Sequence, residues 1–343
     1  MAWTRLFAWS PDCQTLQGLT KREATTDPTF VTGQSGTNTY VVQSVATVAP
    51  VGRAIATQTE VRTGFWFKHA AGATGSNRPF IAVIQVTGGN EYFICWDAAT
   101  AALTIRVTTT GQIATVSLPA ALQATNTWMH IGIYFKANAS TGVISVYING
   151  VQALTYSGNT GSGVIAVSTC GRNSSTLTWA GNVWFDDWYI DGGSGNADAA
   201  PSPSKFLFSS ITGAGTDTAW TPNTGANYQA VDDPTFDTDS TYVAAPSSGL
   251  RDNYECSDIT LPSGYTISKV IVVAYAKKTS SADCKLTLET LLSGTYGSAT
   301  AQALSTGYEY YFAEFALDPS STLWSQSSFN STKIGIKSAG TYT

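Results

Sequence analysis

Two antiparallel β-sandwich (jelly-roll) domains, all-β and joined by a Gly/Pro/Ser linker, are what this sequence predicts, on three observations. The 343 residues include 31 Gly, 12 Pro, 10 Trp, 16 Tyr and 14 Phe, and only 12% are charged. β-Branched and aromatic residues interrupted by Gly, Ser and Asn favour strands and turns and leave no room for long helices. Short alternating runs also recur with turn residues between them, the spacing of a sandwich or barrel. The third observation is Asn149-Gly150, the strongest short hairpin signal in the chain, because a type I′ turn needs positive φ at both central residues. A chain of this length usually forms two domains, each with its own core.

Residues 1–37 are the least patterned and read as a first strand or as an arm that packs on a partner. From Thr39 the alternation is regular through residues 40–42, 54–56, 60–68, 80–86, 91–96 and 102–107, with Gly-rich turns between. Residues 128–156 then read as three strands. A two-residue turn fixes the register: Ile148 opposite Val151, Val146 opposite Ala153 and Ile144 opposite Thr155, all on the core face. Met129, Ile131, Ile133 and Phe135 continue that face, while His130, Gly132, Tyr134, Ser145, Tyr147, Gln152, Leu154 and Tyr156 lie on the other. The strand 183–191 closes a first domain over residues 1–195. Small residues and prolines at 192–204 read as a linker, and a second strand-rich domain covers 205–343. Its last strand candidate, Lys333 to Lys337, has only residues 338–343 after it. An open edge there predicts completion by a partner, either a second copy in a homo-oligomer or a neighbouring protein.

The net charge is −5 and the 18 Lys and Arg are scattered. No basic stripe exists, so nucleic-acid binding is excluded. Cys13, Cys95, Cys170, Cys256 and Cys284 are odd in number and widely spaced, which argues for buried free thiols over a zinc site or a disulfide framework. The first twelve residues lack the apolar stretch of a signal peptide and no run approaches a membrane span, so a protein soluble as synthesised is expected.

Gly64-Phe65-Trp66-Phe67, the segment Trp128 to Gly150 and the closing Phe185-Asp186-Asp187-Trp188-Tyr189-Ile190 together resemble a concanavalin A-like (laminin-G-like) jelly roll. Residues 205–343 are similar to β-sandwich domains of tailed-phage virion proteins, through the Asp-rich segment before Ser240-Thr241-Tyr242-Val243 and through Trp324 followed by Ile334-Gly335-Ile336. Together the two resemblances imply a non-enzymatic virion structural protein, a head-decoration, head-fibre or tail component. It would be made in the host cytoplasm and would have other virion proteins as partners.

A second expectation is an adhesin that holds host cell-surface glycans on the non-core face, with Tyr134, Tyr147, Gln152, Tyr156 and His130 as candidates: aromatic planes would stack on sugar C–H groups beside an amide. The competing expectation for that face is that it packs under a loop or meets water. Glucanases share the first fold, but their Glu-x-Asp-x-x-Glu arrangement is absent. The seven glutamates, at 23, 60, 91, 255, 289, 309 and 314, never occur in it. Adjacent strand residues such as Asp186 and Asp187 point to opposite faces and cannot converge on one substrate, so they are expected to accept backbone hydrogen bonds. His69 and His130 stand outside any Ser/His/Asp context and read as satisfied polar groups. Asp232, Asp233, Asp237 and Asp239 have the oxygen density of a calcium loop without its spacing, and turn chemistry is the expected role. No catalytic residue, metal or cofactor is assigned.

Overall fold

The structure, a computed structural model, describes residues 4–9, 20–21, 29–32, 40–44, 51–70, 80–88, 90–97, 101–107, 111–117, 119–170, 183–193, 201, 203–233 and 237–342. Two compact units divide the chain, residues 1–206 and 207–343. Both are built from antiparallel sheets, in keeping with the two-sandwich fold class. Of the predicted N-terminal arm, residues 1–3, 10–19 with Cys13, 22–28 and 33–37 lie outside the described residues.

In the first unit one sheet runs, in spatial order, Val151–Gly158, Gly142–Ile148, Met129–Lys136, Glu60–His69, Val183–Gly193, Tyr40–Ser44 and Thr29–Thr32, with Thr4–Trp9 paired to Val183–Gly193. The facing sheet runs Gly111–Ser117, Ala102–Val107, Glu91–Asp97, Phe80–Val86, Ile165–Cys170, Val51–Gln58 and Thr20–Lys21. Period-2 alternation decides which side chains enter the space between them. Phe65, Phe67, Ile131, Ile133, Phe135 and Ile144 from the first sheet meet Ile84, Ile94, Leu103 and Ile105 from the second in one buried cluster. Each such side chain contributes roughly 1.5–3 kcal/mol on burial.

The Asn149-Gly150 turn forms as expected, with φ of 52° and 81°, and Ile148 pairs with Val151. Beyond it the register departs from the sequence expectation. A bulge follows the Tyr147–Gln152 pair, so Val146 faces Leu154 instead of Ala153, and Ile144 faces Tyr156 instead of Thr155. One extra residue on the returning strand moves every later side chain to the opposite face, which turns Tyr156 towards the core cluster. Replacing Gly150 by valine is expected to destabilise this domain by roughly 1–2 kcal/mol, because a β-branched residue at positive φ is strained. Its Cβ meets nothing within 4 Å, so a thermal melt of Gly150→Val isolates the backbone cost from any clash.

The expected linker behaves differently along its length. Gly192 and Gly193 still belong to the Val183–Gly193 strand, paired with Val61 and Glu60. Pro201 is buried and Ser204 accepts a hydrogen bond from Trp66 through its carbonyl. Prolines and small residues that cannot build a core have docked here on the outer face of a sheet already built.

In the second unit a sheet runs Ile211–Thr218, Arg251–Cys256, Lys333–Gly340, Cys284–Leu292 and Thr295–Ser298, with Gln302–Ala303 also paired to Cys284–Leu292. The Val270–Ala276 and Glu309–Phe315 pair supplies the opposing layer, and Leu286, Leu288, Val272, Tyr311 and Phe315 share a buried cluster with Trp324. The predicted open edge at Lys333 is corrected: Lys333–Gly340 is flanked on both sides, by Arg251–Cys256 and by Cys284–Leu292. Its backbone is satisfied within the chain, so strand addition by a second copy or another protein has no site there. Cys95 and Cys284 are buried free thiols and Cys256 is a partly buried one; burial pushes the Cys256 thiol up to about 11.

Turn chemistry accounts for Asp233 and Asp237 in the acidic segment, and long-range partners for Asp239. Asp233 and Asp237 both accept from the Thr241 hydroxyl, at 2.7 and 2.9 Å, and Asp239 is bound by Lys277 at 2.8 Å and by the Tyr308 hydroxyl. Among the described residues no group of three or more His, Cys, Asp or Glu is placed to hold a metal.

Candidate functional site

Alternation that sends Val61, Thr63, Phe65 and Phe67 into the core sends Glu60, Arg62, Gly64, Trp66 and Lys68 to the outer face of the larger sheet. Cross-strand pairing then lines up whole rows on that face. Trp184 is paired with Lys68, and Trp128 lies across the sheet on the other side of it. Asp186, Trp66 and His130 form the next row, followed by Tyr189, Gly64, Gly132, Tyr147 and Gln152. Asp191, Arg62, Tyr134 and Ser145 form the row after that.

A bulge brings Tyr189 into this array. Three residue steps from Asp186 to Tyr189 span two on the partner strand, Trp66 to Gly64, and Asp187 takes up the excess at φ 50°. Asp186 accepts the Asp187 amide at 2.8 Å, a backbone hydrogen bond as expected, but one that holds the bulge itself and not a neighbouring loop. Trp188 is thereby turned into the core, where its indole donates to the Thr63 hydroxyl at 2.8 Å, and Thr63 donates to the Tyr189 carbonyl at 2.9 Å. Tyr189 lies flat over Gly64, where an added Cβ would come within 2.6 Å of its ring. Across the sheet from Gly64, Gly132 seats Pro201, whose ring would be 3.1 Å from a Cβ there. Two glycines side by side thus make a trough that one ring fills from within the sheet and another from the 201–206 segment.

The rows differ in exposure, and the difference decides what each can do. Of the five residues expected to touch a ligand, His130, Tyr134 and Tyr147 are buried at 0, 2 and 4% exposure, so they support the surface without presenting it. Gln152 is exposed. Tyr156 has been turned to the other face by the bulge. The expectation that part of this face packs under a neighbouring segment holds at Gly132 and Trp66. Trp66, Lys68, Trp128 and Trp184 are all half-buried and were overlooked in the sequence, although the alternation around Phe65, Phe67 and Phe185 places three of them on the outer face.

Lys68 ties this row together. Its ammonium lies 4.5 Å from the Trp184 ring centre and 4.9 Å from that of Trp128, within the range of cation–π attraction. Partial burial pushes it below the ordinary lysine value. Trp66 donates through its indole nitrogen to the Ser204 carbonyl at 2.7 Å, and Lys205 lies over its ring at 5.4 Å. His130 is flanked by Trp66, edge-on at 5.7 Å, and by Tyr189, stacked at 6.2 Å. Neither ring nitrogen of His130 has a hydrogen-bond partner among the described residues, and burial pushes its pKa down to about 4. His69 instead lies against the Ala70 and Leu122 carbonyls at 2.8 and 2.9 Å, the satisfied polar role expected of it.

Residues 36–198 match the Laminin_G_3 family, the Concanavalin A-like lectin/glucanases superfamily. No curated protein matches the chain. Similar solved structures include the cellulose induced protein Cip1, 15% identical over 54% of this chain and 96% of that one, with a TM-score of 0.42. Domain 4 of AbnA, an extracellular arabinanase from Geobacillus stearothermophilus solved with arabinotriose, is 14% identical over 56% of this chain and 94% of that one, with a TM-score of 0.41. Carbohydrate binding module CBM66 from Bacillus subtilis is 13% identical over 51% and 96%, with a TM-score of 0.32. The match over residues 36–198 supports the concanavalin A-like, laminin-G-like jelly roll expected of the N-terminal domain.

Proposed function

We propose that the N-terminal domain binds glycans and that the ligand lies on the outer face of the larger sheet, against Trp66, Trp128 and Trp184. The observation that carries this reading is the group of half-buried indoles gathered on one face of a lectin-type jelly roll. Indole planes fixed by strand pairing offer sugar C–H groups a large apolar surface at little cost in side-chain entropy. Gln152, exposed at the far end of the neighbouring row, adds an amide donor and acceptor.

Binding without turnover is the form of the reading that the local chemistry supports. Among the described residues, three carboxylates on this face have a charged or backbone neighbour: Glu60 with Lys136 at 3.7 Å, Asp191 with Arg62 at 3.8 Å, and Asp186 with the Asp187 amide. A glycan array probed with the full chain is expected to give hits, and Trp128→Ala is expected to weaken the best of them about tenfold or more, roughly 1.4 kcal/mol. Reducing-sugar release from the same glycans is expected to stay at background. An array without hits would overturn the reading, and sugar release would replace it with a hydrolase.

We further propose a place in a tailed-phage particle, a reading that rests on the sequence resemblance of the second domain at Asp232 to Val243 and at Trp324 with Ile334-Gly335-Ile336. A virion component of this kind would display the glycan-binding domain towards a host surface and have other virion proteins as neighbours. Co-purification with heads or with tails tests it, and absence from purified particles would refute it.

A further inference from the structure

We infer that the glycan site selects acidic saccharides, reading a carboxylate or sulfate on the sugar through Lys68; this inference rests on the glycan-binding reading above. Three observations converge on Lys68. It stands in the middle of the Trp184–Lys68–Trp128 row, so a ring that stacks on either indole brings its substituents to the ammonium. No carboxylate of the described residues lies within 4 Å of its nitrogen, whereas Lys136, Lys269, Lys277, Lys285 and Lys333 each have one. It is also partly desolvated, so an anion arriving there would pair with it more strongly than with a lysine in water.

Indoles lower the cost of holding the cation through their ring faces, but they accept no N–H hydrogen bond in the way an oxygen does. The ammonium retains donor capacity, which a carboxylate or sulfate oxygen is best suited to take up by a charge-assisted bond. Overall charge does not offer a competing explanation. The chain carries −5, so its long-range field repels polyanions, and a preference for them has to arise locally.

Binding of the full chain to polygalacturonate, dextran sulfate and neutral dextran, measured calorimetrically at low and high salt, tests the inference. At least one of the two acidic polymers is expected to bind tenfold or more tightly than the neutral one, with the margin shrinking as salt rises. Polygalacturonate alone would identify a carboxylate as the anion, and dextran sulfate alone a sulfate. Lys68→Met is expected to abolish the margin and Lys68→Arg to keep most of it, with thermal melts verifying that both variants are folded. Equal binding of acidic and neutral polymers would overturn the acid preference while leaving the glycan reading intact. Acidic binding that survives Lys68→Met unchanged would overturn the role of Lys68. If none of the three polymers binds and a broad glycan array is also empty, the underlying reading falls with it.

Discussion

Aspartate in place of Val146 is expected to destabilise the N-terminal domain by about 4 kcal/mol or more. Val146 is 1% exposed and sits between Ile133 and Leu154 on the neighbouring strands, within the core cluster. A charged carboxylate there would have neither counter-ion nor donor. It would escape part of the cost by protonating, yet the neutral acid still leaves polar atoms unsatisfied and forfeits the packing of the valine methyls. Against a typical domain stability of about 5–15 kcal/mol, this is enough to unfold much of the population. The same change at Val151, five residues on in the same hairpin but 71% exposed, is expected to stay within about 0.5 kcal/mol. Urea unfolding of the two variants beside the parent checks the pair. A parental midpoint for Val146→Asp would mean that the core face of this hairpin has been assigned wrongly.

Local signals in the sequence were enough to find that hairpin. Asn149-Gly150 announces its turn, and the alternation Met129, Ile131, Ile133, Phe135 announces its core face, because turn chemistry and period-2 burial act over a few neighbouring residues. Two local irregularities were not legible. The bulges near Ala153 and at Asp187 each insert one residue, and neither carries a glycine or proline to mark it; their stabilisation comes from partners on other strands, such as Thr63 for Trp188. The alternation alone therefore puts Tyr156 on the wrong face and gives no sign that Tyr189 joins the outer face.

Sheet order is the other feature that the sequence conceals. Lys333–Gly340 looked like a terminal edge because little follows it in the chain. Its neighbours come from 251–256 and 284–292, and nothing in a strand's own residues states which distant strands will flank it. The outer face of the larger sheet was legible by half. Alternation told which residues share it, but whether they are open depends on what covers them. Pro201 and Ser204 had been read as linker because prolines and small residues build no core, yet a proline ring filling the space above Gly132 and a backbone carbonyl receiving an indole N–H need no apolar pattern at all.

His130 should make the stability of the N-terminal domain depend on pH in a defined window. It is fully buried, its ring nitrogens find no hydrogen-bond partner among the described residues, and burial holds its pKa near 4 against an ordinary 6.5. The groups around it offer a proton little support. Trp66 and Tyr189 present rings, Lys205 lies over the Trp66 ring with a positive charge, and the Asp186 carboxylate, one strand beyond Trp66, accepts from the Asp187 amide. Above pH 6.5 the imidazole is neutral in both folded and unfolded chains, and its contribution is fully present. Between 6.5 and 4 the unfolded chain binds a proton that the folded chain refuses, so stability falls as the pH falls, by about 3 kcal/mol across the window. Below 4 both states are protonated and the loss is complete. His130→Gln removes the titration and is expected to flatten the profile by that amount, with carboxylate contributions cancelling in the comparison. Urea midpoints of parent and variant at intervals from pH 4 to 7 measure it. Parallel profiles would mean that the imidazole is solvated in the folded state and that the outer face is open above it.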